Sequence, residues 1–266
     1  KPPKADGTLE PMFSKAGHGL IDDITMVFPS PVLLLGPTGM GKSVLVRYAT
    51  RVIAEALGHE YTYKAINAHP ALDISQIVGF QRPINTPTGI ALEWADGALT
   101  KQVRDGGAFL FEEATRSPET TSRLFSLLDD GFRDWPTPEN PNEDRTEVHP
   151  NFWFLATANP AGRGYTTQMM DKALESRFVI FDVREPLADE VGILAAKIGQ
   201  EPAEKLMRFA TDMRAGPETY VSTRDLSLTA QLMFKGMDMK KAVRAAIVEK
   251  FSKQADAVKT LFTAHF

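Results

Sequence analysis

Gly36-Pro37-Thr38-Gly39-Met40-Gly41-Lys42-Ser43 fits the pattern G-x-x-x-x-G-K-[ST] at every fixed position, and this stretch decides the fold. The residues on either side supply the context that the pattern needs. Val32-Leu33-Leu34-Leu35 is a short apolar run bounded by Pro31, as a buried strand is, and Ser43-Val44-Leu45-Val46-Arg47-Tyr48-Ala49 has helical character. A glycine loop between strand and helix can wrap a phosphate in backbone N–H groups, because no Cβ blocks the approach and the helix N-terminus adds partial positive charge. Lys42 would reach the β- and γ-phosphates, and the Ser43 hydroxyl would bind Mg²⁺. Gly36, Pro37, Thr38, Gly39, Met40, Gly41, Lys42, Ser43 and Val44 are thus the candidate nucleotide-binding residues, with ATP and Mg²⁺ as the expected cofactors.

The chain of 266 residues is long enough for a sizeable core and a second, smaller domain. Its 43% hydrophobic and 24% charged residues are those of an ordinary globular protein. No apolar run is long enough to cross a bilayer, and Lys1-Pro2-Pro3-Lys4 has no signal-like segment behind it, so the expected location is cytoplasmic. The opening residues lack an initiator Met, as in a fragment or a processed chain. Zero cysteines exclude disulfides and thiolate metal sites. A net charge of −4 gives no electrostatic support to nucleic-acid binding. The five histidines, His18, His59, His69, His149 and His265, lack metal-ligand spacing and read as surface or core residues.

Between Pro31 and Pro186 the strand candidates Val32–Leu35, Tyr61–Ile66, Ala108–Phe111, Phe152–Ala156 and Phe178–Val183 alternate with helical patterns, which predicts a parallel sheet flanked by helices. Ile21–Phe28 reads as one short helix ahead of the first strand. Two stretches rich in Pro, Gly and polar residues, Gln81–Gly97 around an exposed-looking Trp94 and Arg133–Pro150 around Trp135, read as loops or hairpins projecting from the core. From Leu187 onward apolar positions recur at helical spacing with no convincing strand. The expected fold class is therefore α/β, a phosphate-loop parallel sheet in residues 1–186 followed by a small all-helical lid domain in 187–266.

The rest of a hydrolytic site is sought at the other strand ends. Ala108-Phe109-Leu110-Phe111-Glu112-Glu113 is an apolar strand ending in two carboxylates. An acid at such a strand end holds Mg²⁺ through its water shell and a neighbouring one polarises the attacking water, which assigns Glu112 to the metal and Glu113 to the water. Glu at the first position, where Asp is usual, is a mild departure. Phe152-Trp153-Phe154-Leu155-Ala156 runs into Thr157-Ala158-Asn159-Pro160, and Asn159 is placed to hydrogen-bond the γ-phosphate or hold the lytic water. Arg177, just before the last strand, could reach the γ-phosphate of a neighbouring subunit, and Arg224, at the start of a helix of the small domain, could bind phosphate in its own subunit.

This succession of phosphate loop, Glu-Glu strand, Thr-Ala-Asn-Pro, Glu175-Ser176-Arg177-Phe178 and Ser222-Thr223-Arg224 resembles the AAA+ ATPase family. Trp94-Ala95-Asp96-Gly97-Ala98-Leu99, leading through Val103-Arg104-Asp105-Gly106-Gly107 into the acidic strand, resembles its MoxR branch, including CbbQ/NorQ-like and cobaltochelatase-small-subunit-like members of the dynein-related group. The resemblance spans about residues 20–235. It implies a hexameric ring with nucleotide at subunit interfaces, and by it Lys42 and Ser43 are Walker A, Glu112 and Glu113 Walker B, Asn159 sensor 1, Arg177 the arginine finger and Arg224 sensor 2. It also implies a protein client, a partner with a von Willebrand factor A domain, and a chaperone or cofactor-insertion role in which the loops around Trp94 and Trp135 transmit force. A nucleic-acid translocase, a nucleotide-dependent scaffold and the ATPase subunit of a metal chelatase are the alternatives.

Overall fold

The computed structural model describes residues 12–58, 60–87, 89–129, 134–159, 172–216 and 219–266, and at 118, 119, 122, 125, 174 and 252 the backbone alone. The chain divides into two compact units. One comprises residues 21–36 and 43–182, and the other residues 12–20, 37–42 and 183–266. Residues 160–171, with Pro160 of the Thr-Ala-Asn-Pro stretch, and His59 lie outside the described residues.

A helix, α1 (Lys15–Met26), leads into the first strand, β1 (Val32–Leu35), and α2 (Lys42–Leu57) follows the glycine loop. The first helix begins six residues earlier than Ile21, because Gly17 and Gly19 interrupt its apolar pattern without breaking its hydrogen bonds. In chain order there follow β2 (Tyr63–Asn67), α3 (Ile74–Ile77), β3 (Gly79–Thr86), β4 (Gly89–Asp96), α4 (Ala98–Asp105), β5 (Ala108–Glu112), α5 (Pro118–Arg123), α6 (Phe125–Leu128), β6 (Asp134–Pro136), β7 (Arg145–Glu147), β8 (Trp153–Ala158), α7 (Lys172–Glu175) and β9 (Val179–Asp182).

Five of these strands form a parallel sheet in the order β2-β5-β8-β1-β9. All five strands expected from the sequence are present, each within two residues of its expected ends. Burial explains why they were visible. A parallel sheet covered on both faces buries its central strands completely, which demands unbroken apolar runs. Every residue of β8 is buried, as are Val32 to Leu34 and Ala108 to Phe111, whereas the edge strand β9 alternates between half-buried and exposed. Phe109, Phe111, Phe154 and Trp135 lie in one core with Leu33, Leu99 and Val103.

Both Pro-rich stretches are hairpins. Strands β3 and β4 pair from Gly79 opposite Asp96 to Thr86 opposite Gly89, and β6 pairs with β7 through Trp135 opposite Thr146. Arg104 on α4 ties them together, donating to Asp96 at the end of β4 (2.9 Å) and to Glu143 ahead of β7 (2.6 Å). Trp94 is less exposed than the sequence expectation had it. Trp135 is fully buried, and Trp94 is half-buried, its indole folded over Gly79 and its Nε1 donating to Asp96 (2.7 Å). Among its described residues the first hairpin exposes the large apolar side chains Phe80, Ile90 and Leu92.

The second unit is helical, with α8 (Glu190–Ile198), α9 (Gln200–Ala215), α10 (Thr223–Phe234), α11 (Met239–Ala246) and α12 (Ala255–His265). Leu206, Phe209, Met213, Leu226, Val243 and Val258 form its core, and Phe209 packs edge-on against Phe262 and Phe266. No helix among the described residues is long and apolar enough to cross a membrane.

Candidate active site

The strand ends assemble the hydrolytic candidates. In an open parallel sheet, ligands bind beyond the carboxyl ends of the strands. Register places Leu35 opposite Ala158 and Phe111 opposite Ala156, so β1, β5 and β8 finish together. Two hydrogen bonds fasten what comes next. Gly36, the first loop residue, donates its N–H to the Ala158 carbonyl (3.2 Å), directly before Asn159, and the Glu113 N–H donates to the Thr157 hydroxyl (3.2 Å). Gly36, Glu112, Glu113 and Asn159 thus share one edge. Ser43 and Val44 lie in the first turn of α2, in the same unit.

Arg177 is not at this edge. Val179, two residues on, pairs with Val32 at the opposite end of β1, and a four-residue strand at about 3.3 Å per residue separates the two ends. Its guanidinium borders a cavity of about 390 Å³ with Ser30, Pro31 and Asp129, and its Nε pairs with the Asp129 carboxylate. Within one chain, Arg177 stands apart from Glu113 and Asn159.

The phosphate loop proper, Pro37 to Lys42, belongs with the helical unit, and so does Arg224. Gly39 and Gly41 have φ of +82° and +94°. A Cβ on Gly39 would stand 2.6 Å from the Ser222 Cβ and 3.8 Å from the Arg224 Cβ, so the N-terminus of α10 lies against the loop. Met40 is held twice, its carbonyl accepting from the Leu187 N–H (3.1 Å) and its sulfur from the Tyr220 hydroxyl (2.7 Å). Lys42 is buried, its ammonium donating to the Pro37 carbonyl across the loop (2.8 Å). A buried cation inside a loop whose glycines leave no room for side chains fits a phosphate chain.

The chain matches the AAA domain of the dynein-related subfamily over residues 31–178, and the CbbQ/NirQ/NorQ C-terminal domain over 190–265. Protein NorQ of Paracoccus denitrificans is 30% identical over 239 residues, covering 87% of this chain and 83% of that one. The chain belongs to the AAA+ ATPase family, in its MoxR-type NorQ/NirQ group. The denitrification regulatory protein NirQ of Pseudomonas aeruginosa is 27% identical over 261 residues, 94% of this chain and 95% of the relative. Midasin of Dictyostelium discoideum shares 31% identity over 168 residues, 63% of this chain but 3% of midasin.

In this AAA+ chain several residues that support the site were not singled out by motif. Glu190, buried at the start of α8, receives two bonds from Arg214 (2.7 and 2.8 Å) and one from the Thr223 hydroxyl (2.6 Å). Arg214 also donates to the Val221 carbonyl (2.8 Å). Burial alone would weaken the Arg214 charge, but the Glu190 bonds hold its pKa above the ordinary value. This cluster fixes Tyr220 to Thr223, the segment that carries Arg224 to the loop. Ser222 caps α10 in a reciprocal box with Asp225, a pattern the sequence Ser222-Thr223-Arg224-Asp225 does display. Thr157, by contrast, gave no signal beyond lying in a strand.

Proposed function

We propose that this chain is the ATP-hydrolysing subunit of a ring motor that remodels or activates a protein partner. The observation that carries the reading is the fastening of Glu113 to the strand of Asn159, through the bond to Thr157, and of Gly36 to the Ala158 carbonyl at the end of that same strand. The loop backbone from Gly36 to Val44 and Lys42 bind the triphosphate. Ser43 and Glu112 would hold Mg²⁺, which neutralises charge on the β- and γ-phosphates when bound. One hydroxyl with one carboxylate suits an ion that keeps several waters.

In this reading Glu113 accepts the proton of the attacking water, Asn159 orients that water or the γ-phosphate, and Arg224 contacts phosphate from the helical lid of residues 187–266. The place of Arg177 at the far edge of its own sheet supports action on a neighbour's nucleotide, hence a ring, with six subunits as in the resemblance. The kinship with the denitrification regulatory protein NirQ fits a regulatory role, the protein client and the von Willebrand factor A-domain partner are carried over from the MoxR resemblance, and the net charge of −4 disfavours nucleic acid.

The test is ATP turnover against protein concentration for wild type, Glu113→Gln and Arg177→Ala, with mass measured in the same samples with and without nucleotide. Specific activity that rises with assembly and vanishes in both variants is expected. Concentration-independent turnover retained by Arg177→Ala would mean a self-contained site and end the ring reading.

A further inference from the structure

Glu113 is the one non-glycine residue among the described residues with a positive φ, at φ +53° and ψ +42°. Left-handed backbone in a residue with a Cβ persists where its surroundings fix it, and here three bonds do so. The N–H donates to the Thr157 hydroxyl (3.2 Å), the carbonyl accepts from the Arg116 N–H (2.8 Å), and Oε2 accepts from Arg116 Nη1 (2.6 Å). Arg116 therefore grips Glu113 by backbone and side chain together. The turn behind it is fixed as well, since the Thr121 hydroxyl donates to the Ala114 carbonyl (2.9 Å).

We propose that Arg116 is a positioning residue for Glu113, aiming the carboxylate by one oxygen while the other is left to take the proton of the attacking water. The inference rests on the reading of Glu113 as the base. Arg116 engages Oε2 alone, and Oε1 makes no hydrogen bond or ion pair among the described residues. A carboxylate on a flexible side chain spends little time in one direction, and a partner that holds one of its oxygens removes that loss. The pair is not needed for folding. Its side chains are 49% and 31% exposed, and ion pairs of that kind add little to stability. A loss of function on removing Arg116 would therefore not reflect unfolding.

The experiment measures kcat and KM for ATP with the full chain as wild type, Arg116→Ala, Arg116→Lys, Glu113→Gln and the Arg116→Ala/Glu113→Gln double variant, with melting curves for each. The expected result is a kcat about tenfold lower in Arg116→Ala with KM within about twofold, substantial recovery in Arg116→Lys, unchanged melting, and no further loss when Arg116→Ala is added to Glu113→Gln. An unchanged or raised kcat, a change confined to KM, or an equal loss in the Glu113→Gln background overturns the positioning role. Wild-type turnover by Glu113→Gln would instead remove the base itself, and is distinguishable from an inactive Glu113→Gln beside a normal Arg116→Ala, which removes Arg116 alone.

Discussion

Arg177 is ion-paired with Asp129 of its own chain through Nε, while its Nη1 donates to the Ala173 carbonyl (2.5 Å). A finger that serves a neighbour's γ-phosphate must exchange this carboxylate for phosphate. The pair is about a quarter to a third exposed, so breaking it costs on the order of 1 kcal/mol or less. Asp129→Asn is expected to raise turnover about two- to fivefold at a fixed degree of assembly, since about 1.4 kcal/mol corresponds to tenfold in rate. Steady-state assays at protein concentrations where mass shows equal assembly would check it. A fall in turnover would mean that Asp129 presents Arg177 in its working position.

Gly39 leaves less room for a side chain than Gly41, the other left-handed glycine of the loop. Alanine there would keep a φ of +82°, costing about 1–2 kcal/mol, and press its Cβ against Ser222 at 2.6 Å. Gly39→Ala is expected to abolish ATP binding, measured by calorimetry, while the melting of the sheet unit, followed by tryptophan fluorescence, stays close to wild type. All three tryptophans, Trp94, Trp135 and Trp153, lie in that unit. Ser222→Gly combined with Gly39→Ala relieves the contact but not the backbone cost, so only partial recovery is expected.

The strands and the phosphate loop were legible because their physical demands are local. Leu33 and Phe109 sit in runs that a doubly covered sheet requires, and Gly39 and Gly41 occupy backbone that other residues rarely adopt. Glu113 and Asn159 were legible as polar residues at strand ends. What was hidden depends on pairing between distant segments. Nothing local says that Thr157 accepts from Glu113, that Asp129 holds Arg177 across 48 positions, or that Glu190 binds Arg214 and Thr223. The burial of Trp135 was hidden too, because Pro136, Pro138 and Pro141 signal only a loop or hairpin, whereas Thr146 opposite and Arg123 over its ring close it in. Arg116 was missed although it stands three residues after Glu113 in a short helical turn, a spacing at which side chains meet.

The left-handed backbone of Glu113 sets stability against activity. A glycine at this position adopts the same φ without a Cβ penalty, worth about 1 kcal/mol or somewhat more. Glu113→Gly removes the carboxylate and leaves Arg116 exposed to solvent, which costs little. Denaturant unfolding is expected to show a variant at least as stable as wild type, or more stable by up to about 1 kcal/mol, with ATP turnover abolished. Clear destabilisation would show that the Arg116 pair contributes more to the fold than its exposure implies.

The helical unit is expected to weaken in acid through Asp225. Burial by itself would raise the pKa of this carboxyl, but hydrogen bonds from Lys250 and Ser222 outweigh it and hold the value below the ordinary one. A group whose folded pKa is depressed stabilises the fold above its unfolded pKa of about 3.9, and loses that contribution as pH falls through the folded value. Asp225 also closes the cap on α10, an interaction worth about 1 kcal/mol. Asp225→Asn is therefore expected to be less stable than wild type at about pH 6, with the difference closing as pH falls toward about 3. Urea unfolding followed by circular dichroism across that range measures both. A difference that stays constant with pH would mean that Asp225 acts through its hydrogen-bonding geometry alone and that its charge, with Lys250 as partner, adds nothing to the stability of the helix that carries Arg224.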